Sequence, residues 1–142
     1  MISERKALTR IFGLAAVALF IVGAWPMSYL ASPRWDVRIV TDVGQPVPQI
    51  NVRLVYQDYS VESESHEVTL RTDEDGHVLF PQHYQSACIF QRVFHTVSSA
   101  GTGVHSSFGR HAYVLAFGGR EGFDSVDWRG SPKSMQSSIV VK

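Results

Sequence analysis

The chain has 142 residues, with thirteen basic and thirteen acidic side chains that cancel and hydrophobic residues at 44%. A chain of this length buries one core and is too short for two. Its neutrality excludes the basic face that displaces phosphate counterions, so no nucleic-acid partner is expected.

At the N-terminal side, Arg5, Lys6 and Arg10 precede an uncharged run at residues 11–30. About 20 residues of helix at roughly 1.5 Å rise cover a hydrocarbon core of about 30 Å, so the run is long enough to span a bilayer. Basic flanks stay on the cytoplasmic side. The expected organisation is a cytoplasmic N-terminus at 1–10, a transmembrane helix or uncleaved signal anchor at 11–30, and an exported domain at 34–142. This places a bacterial-type single-pass protein in the cytoplasmic membrane, N-terminus inside, with the bilayer as its partner through residues 11–30.

A cleaved signal peptide is the competing reading, with Val22-Gly23-Ala24 as its exit. Trp25, Met27, Tyr29 and Leu30 carry the apolar character past that point and favour a retained anchor, with Trp25 and Tyr29 suited to the outer headgroup region and Pro26 tolerable near the end of a span. Both readings export the domain. Setting aside the three basic residues and Glu4 of the N-terminus leaves ten basic and twelve acidic residues from Pro33 onward. Cys88 is the single cysteine, so an internal disulfide is excluded, and none follows the apolar run to serve as a lipoprotein anchor.

The exported part reads as strands. Trp35, Val37, Ile39 and Thr41 alternate with Asp36, Arg38 and Val40, the pattern of a strand with one buried face. After turn residues Gly44, Gln45, Pro46 and Pro48, the alternation resumes with Ile50, Val52, Leu54 and Tyr56. Residues 58–64 are polar and aperiodic and are expected to form a loop before a strand built on Val68, Leu70 and Thr72. Asp73-Glu74-Asp75-Gly76 then places a glycine where a tight hairpin needs positive φ, and His77-Val78-Leu79-Phe80 follows as a strand that Pro81 ends.

Beyond it the period changes. Ile89, Phe90, Val93, Phe94 and Val97 recur at helical spacing and predict a short amphipathic helix over residues 87–98, with Ser86 as its cap and Gly101 near its exit. A strand at 111–117, apolar on both faces and therefore central, and another at 138–141 complete the chain. Residues 118–122 and 131–133 mark irregular connections between them. Trp35, Tyr56, Phe80, Phe90, Phe94, Phe108, Tyr113 and Phe117 fall on the inward positions of these elements and are expected in the core.

Residues 40–54, with Asp42-Val43-Gly44-Gln45-Pro46-Val47 at their turn, together with Thr72-Asp73-Glu74-Asp75-Gly76, resemble the carboxypeptidase regulatory-like, prealbumin-like (transthyretin-like) sandwich domains. The resemblance implies a mainly β fold, a Greek-key β-sandwich appended to an exported or membrane protein, here with one short inserted helix and a transmembrane helix before it. It covers roughly the first half of the exported part. Its motifs specify fold rather than activity.

Three chemical possibilities attach to particular residues. The acidic run Asp73, Glu74 and Asp75 has the composition of a calcium loop, but an EF-hand-like loop starting at Asp73 requires a bidentate carboxylate where Tyr84 stands. Trp128-Arg129-Gly130-Ser131 resembles the Y-R-G-S signature of the hydroxyisourate hydrolases, transthyretin-like enzymes. In that family the signature closes the chain, whereas eleven residues follow Ser131, and the positions of the family's first-strand histidine and of its arginine after the turn hold Ile39 and His77. A base and an orienting cation are then lacking.

The six histidines, His66, His77, His83, His95, His105 and His111, include no pair at i, i+2 or i, i+4 that would start a zinc site. Scattered surface or half-buried histidines are the leading account, and a bend at Gly109 would let His105 and His111 meet. His105 and His111, with Asp127 and Arg129, therefore form the candidate site, and no catalytic residue, metal or cofactor is assigned. The leading expectation is a membrane-anchored extracytoplasmic interaction or accessory module whose loops meet an envelope protein or glycan. The alternative is a small envelope hydrolase or metal-dependent enzyme using His105, His111 and residues 128–131.

Overall fold

The computed structural model describes residues 2–101, 107–117, 125–129 and 137–141, and of residues 2–7 and 125–127 the backbone alone. In chain order the elements are α1 (Ile2–Ala24), β1 (Met27–Ser32), β2 (Trp35–Thr41), β3 (Asn51–Asp58), β4 (His66–Arg71), β5 (His77–Phe80), β6 (His83–Ala87), α2 (Ile89–Ala100), β7 (Arg110–Phe117), β8 (Ser125–Trp128) and β9 (Ser138–Val141). The architecture is mainly β and consistent with a sandwich.

One sheet runs β4-β3-β7-β8, antiparallel throughout, and a second runs β5-β2-β9, in which β9 joins β2 in parallel. Alternation puts one face of each strand inward. Trp35, Val37 and Ile39 of β2 lie at no more than 1% exposure, with Ile139 of β9 paired beside Ile39. From the other sheet come Val52, Leu54 and Tyr56 of β3, Ala112, Val114 and Ala116 of β7, and Trp128 of β8, all in one cluster with Val78 and Phe80. As its double-sided apolarity predicted, β7 is an interior strand between β3 and β8.

The Asp73–Gly76 turn locks these strands in place. Asp73 Oδ1 accepts from the amides of Asp75 (3.0 Å) and His77 (2.8 Å), and Gly76 takes φ +75°. A side chain at Gly76 would stand 2.6 Å from the Ile39 carbonyl, and the same close approach lets the Ile39 amide donate to the Gly76 carbonyl at 2.8 Å. Thr72, 1% exposed, donates to the Val47 carbonyl and accepts from the Ile50 amide. The two turns are thereby tied to each other.

Three differences from the sequence reading have physical causes. The apolar run does not continue as helix to Leu30: α1 ends at Ala24, Pro26 lacks an amide hydrogen to extend it, and β1 starts at Met27 and pairs antiparallel with β6, two strands not read from the sequence. Ser86 is not the helix cap, since it lies in β6 opposite Ser28; Cys88 caps α2 instead, its Sγ accepting from the Gln91 amide at 3.4 Å. β8 lies between the two irregular connections, at residues not read as a strand.

Among the aromatic residues expected inside, Trp35, Tyr56 and Phe80 are buried, but Phe90, Phe94, Phe108 and Tyr113 are exposed. The reason for the first two is the orientation of α2. Its polar side chains find partners on the sandwich, so its apolar side points away, and none of its residues is buried.

Along α1 the described side chains begin at Leu8, and every large apolar one from Leu8 to Val22 is exposed. Among the described residues, no helix is long and apolar enough to cross a membrane. The helix nonetheless has no polar side from Ile11 onward, and only Trp25 and Pro26 separate it from β1.

Candidate functional site

The densest group of chemically capable side chains gathers where β1, β3, β4, β6 and α2 converge. Alternation along β6 turns His83 and Gln85 to the same side, and along β3 it brings Tyr56 and Asp58 together at the strand's end. The chain after Asp58 turns tightly, with the Val61 and Glu62 amides donating to the Asp58 carbonyl. That turn delivers the Glu62 carboxylate to the cluster.

His66 Nε2 stands 2.7 Å from Glu62 Oε2 and 2.8 Å from the Gln85 side-chain nitrogen, while the Tyr29 hydroxyl donates to Gln85 Oε1 at 2.8 Å. The Tyr56 ring stacks between two imidazoles, 5.2 Å from that of His66 and 5.0 Å from that of His83. Asp58, 1% exposed, accepts from Arg92 Nη1 at 3.2 Å and from the Ser60 amide at 3.0 Å, so both its oxygens are engaged. Arg92 also lies over the Tyr29 ring, 4.5 Å from its centre.

This environment acts on the two phenols. Burial first, and then the Asp58 and Glu62 carboxylates, push Tyr29 up to about 12, against the opposing pull of Arg92 and Arg110. Burial, followed by Glu62, raises Tyr56 as well. Both phenols therefore remain protonated at neutral pH. Among the described residues one buried side-chain polar atom lacks a hydrogen-bond partner, His83 Nε2.

Chemically the arrangement is a closed polar knot. Glu62 accepts from the Asp58 amide through one oxygen and meets His66 and Gln85 through the other, and Gln57 donates to the Glu62 carbonyl. A shallow open groove lies beside it, between α2 and the turn after β3, with Gln57, Glu62, Phe94, His95 and Ser98 on its walls. No group of three or more His, Cys, Asp or Glu side chains among the described residues has metal-binding geometry. The acidic turn at Asp73 is occupied with its own backbone amides.

The residues singled out from sequence are arranged differently. His105 lies outside the described residues. His111 sits on β7, edge-on to Tyr59 at 5.2 Å and with Nε2 3.2 Å from the Phe108 carbonyl, in a shallow hollow with Gln57 and Tyr113. Asp127 pairs with Tyr113 in the backbone register and exposed Arg129 follows β8, so His111 and Arg129 flank the Ala112–Trp128 pair at one end of the sheet. The structure brings these strand positions together without describing the Asp127 side chain. Ile39 is fully buried, and His77 Nδ1 pairs with Asp36 at 3.1 Å.

The Tyr29, Asp58, Glu62, His66, Gln85 and Arg92 cluster was not anticipated. Its one local trace in the sequence is the four-residue spacing of Glu62 and His66; the other members come from elements far apart in the chain. Comparison with protein-family models, with curated proteins and with solved structures found no match.

Proposed function

We propose that this chain is a membrane-tethered β-sandwich of the prealbumin-like kind, an accessory module displayed outside the cytoplasmic membrane to a protein or glycan of the cell envelope, without catalytic turnover of its own. The observation that carries the reading is α1. A helix whose large apolar side chains are exposed all round has no stable place in water. Its uncharged part, residues 11–24, rises about 21 Å against the roughly 30 Å of a hydrocarbon core, and the shortfall is met by local thinning of the bilayer and by the basic side chains before it reaching to the headgroups. Exposed Trp25 and Met27 continue the apolar surface to the headgroup level. Arg5, Lys6 and Arg10 before it set the N-terminus inside.

The accessory role is supported by the polar knot, whose carboxylates and amides are engaged with one another and with Arg92 rather than aimed into an open cleft. The kinship in fold is supported by the interlocked Pro46–Val47 and Thr72–Gly76 turns. One experiment tests tether and sidedness together. Cys88→Ser with Val43→Cys puts the sole thiol on an exposed turn. A membrane-impermeant maleimide should then label intact spheroplasts fully, and carbonate washing should leave the protein in the membrane. Labelling only after lysis would overturn the orientation, and release by carbonate would overturn the tether.

A further inference from the structure

In a domain packed in water, a surface helix turns its apolar face to the sheet and its polar face to solvent. In α2 the order is reversed. At about 100° per residue, Ile89, Phe90, Val93, Phe94 and Val97 fall within an arc of about 140°, and Gln91, Arg92, His95, Ser98 and Ser99 occupy the other side. The polar side is the one held: Arg92 binds Asp58 at 3.2 Å, Gln91 Nε2 donates to the Val61 carbonyl at 3.1 Å, and His95 and Ser99 line the groove beside Glu62. Phe94 and Val97 are left 69% and 67% exposed.

We infer that α2 lies flat in the headgroup layer of the bilayer that holds α1, with Phe90, Val93, Phe94 and Val97 in the lipid and the Arg92–His95 side on the sandwich; this rests on the reading of α1 as a membrane anchor. Continuity with α1 names the occupant. The Phe20 ring of α1 packs on Phe90 with centroids 5.6 Å apart, and Phe90 sits over Gly23, where a side chain would collide with the ring. Exposed Trp25 and Met27 lie at the same junction, so the apolar surface of one helix runs into that of the other. The two residues between α1 and β1 hold the sandwich against whatever surface α1 enters.

A second copy of the chain fits less well. Twelve helical residues offer a strip about 18 Å long and about 10 Å wide, small against the roughly 800 Å² that each partner contributes to a stable dimer. An uncharged apolar strip of that shape suits the boundary between headgroups and acyl chains, where such helices lie with one face immersed. The consequence is a two-point attachment that fixes the tilt of the sandwich over the membrane.

The test uses the full chain in vesicles of phosphatidylcholine and phosphatidylglycerol. In a Cys88→Ser background, where a hydroxyl takes over the thiol's place at the helix cap, single cysteines replace Leu14, Val43, Val93 or Val97 and carry an environment-sensitive fluorophore. Circular dichroism confirms that each variant retains its β spectrum. Spin-labelled lipids should quench position 14 through labels deep in the acyl chain and positions 93 and 97 through shallow ones. Position 43 should be quenched several-fold less. Quenching at 14 but not at 93 or 97 would overturn the seating of α2 and leave the anchor standing. Absence of quenching at 14 would instead overturn the anchor. Probes at 93 and 97 that are shielded from aqueous iodide yet untouched by lipid quenchers, with crosslinking between chains, would assign the face to a second copy and sink the inference.

Discussion

The sandwich and the helix pair use the same kind of residue in opposite directions. In β2, β3, β7 and β9 the apolar residues on the inward face are buried, and Val37, Ile39, Leu54, Val114 and Ile139 completely so. In α2 an equally regular set, Ile89, Phe90, Val93, Phe94 and Val97, faces out, while Arg92 and Gln91 face in. Periodicity thus reports that a face exists but not what covers it. The side on which a helix finds hydrogen-bond partners decides the matter: Asp58 is buried and holds Arg92, and that pair orients α2 with its apolar side away from the core.

The comparison breaks most readily at matched phenylalanines. Phe80→Ala, at a fully buried site, should cost about 3–5 kcal/mol in urea unfolding of the detergent-solubilised chain, through lost burial and the cavity left behind. Phe94→Ala, at a site 69% exposed, should change stability by no more than about 0.5 kcal/mol. Equal losses at the two positions would mean that α2 packs its apolar face against the sandwich after all.

The same contrast explains what was legible in the sequence. The strand at Trp35–Thr41 was readable to the residue, because its inward and outward positions obey a single alternation with one buried side. The turn at Gly76 was readable because positive φ narrows the choice of residue. β1 was hidden by its own composition: Met27, Tyr29 and Leu30 prolong the hydropathy of the preceding run, and only Pro26 marks the change from helix to strand. β6 was hidden for the opposite reason, since His83, Tyr84, Gln85 and Ser86 lack the β-branched pattern of a strand.

The polar cluster was illegible because Tyr29, Asp58, His66, Gln85 and Arg92 meet only through the pairing of β1 with β6 and the docking of α2. For the site anticipated at His111, Asp127 and Arg129, the strand neighbourhood emerges from the pairing of β7 with β8, while His105 lies outside the described residues.

An effect of intermediate size probes how firmly that cluster binds α2. With Tyr29 pushed up from 10 to about 12, the folded chain holds the phenolic proton more tightly than the unfolded one. The resulting stabilisation is complete below about pH 10 and is lost as the pH rises from 10 towards 12. Unfolding free energy should decline through that window, and in phenolate absorbance Tyr29 should ionise after the tyrosines outside the cluster. Arg92→Met removes a charge that pulls Tyr29 down, so its ionisation should move higher still, while the loss of Asp58's partner should cost on the order of 1–3 kcal/mol at neutral pH. An unchanged titration in the variant would show that Arg92 does not hold α2 to the cluster.

The smallest effect comes from the seam between the helices. Gly23→Ala favours α1 intrinsically, by about 1 kcal/mol of helix propensity, yet its methyl takes the place of the Phe90 ring. That ring is the far end of a side chain already 45% exposed, so it can swing aside without moving backbone. The sandwich should keep its stability within about 0.5 kcal/mol, because no residue of β2, β3 or β7 touches the substitution through the core. Nuclear Overhauser contacts between Phe20 and Phe90 should disappear. If those contacts persisted while the sandwich lost more than about 1 kcal/mol, the helices would be part of the load on the core rather than a separate apolar surface, and the opposition between the two regions would not hold.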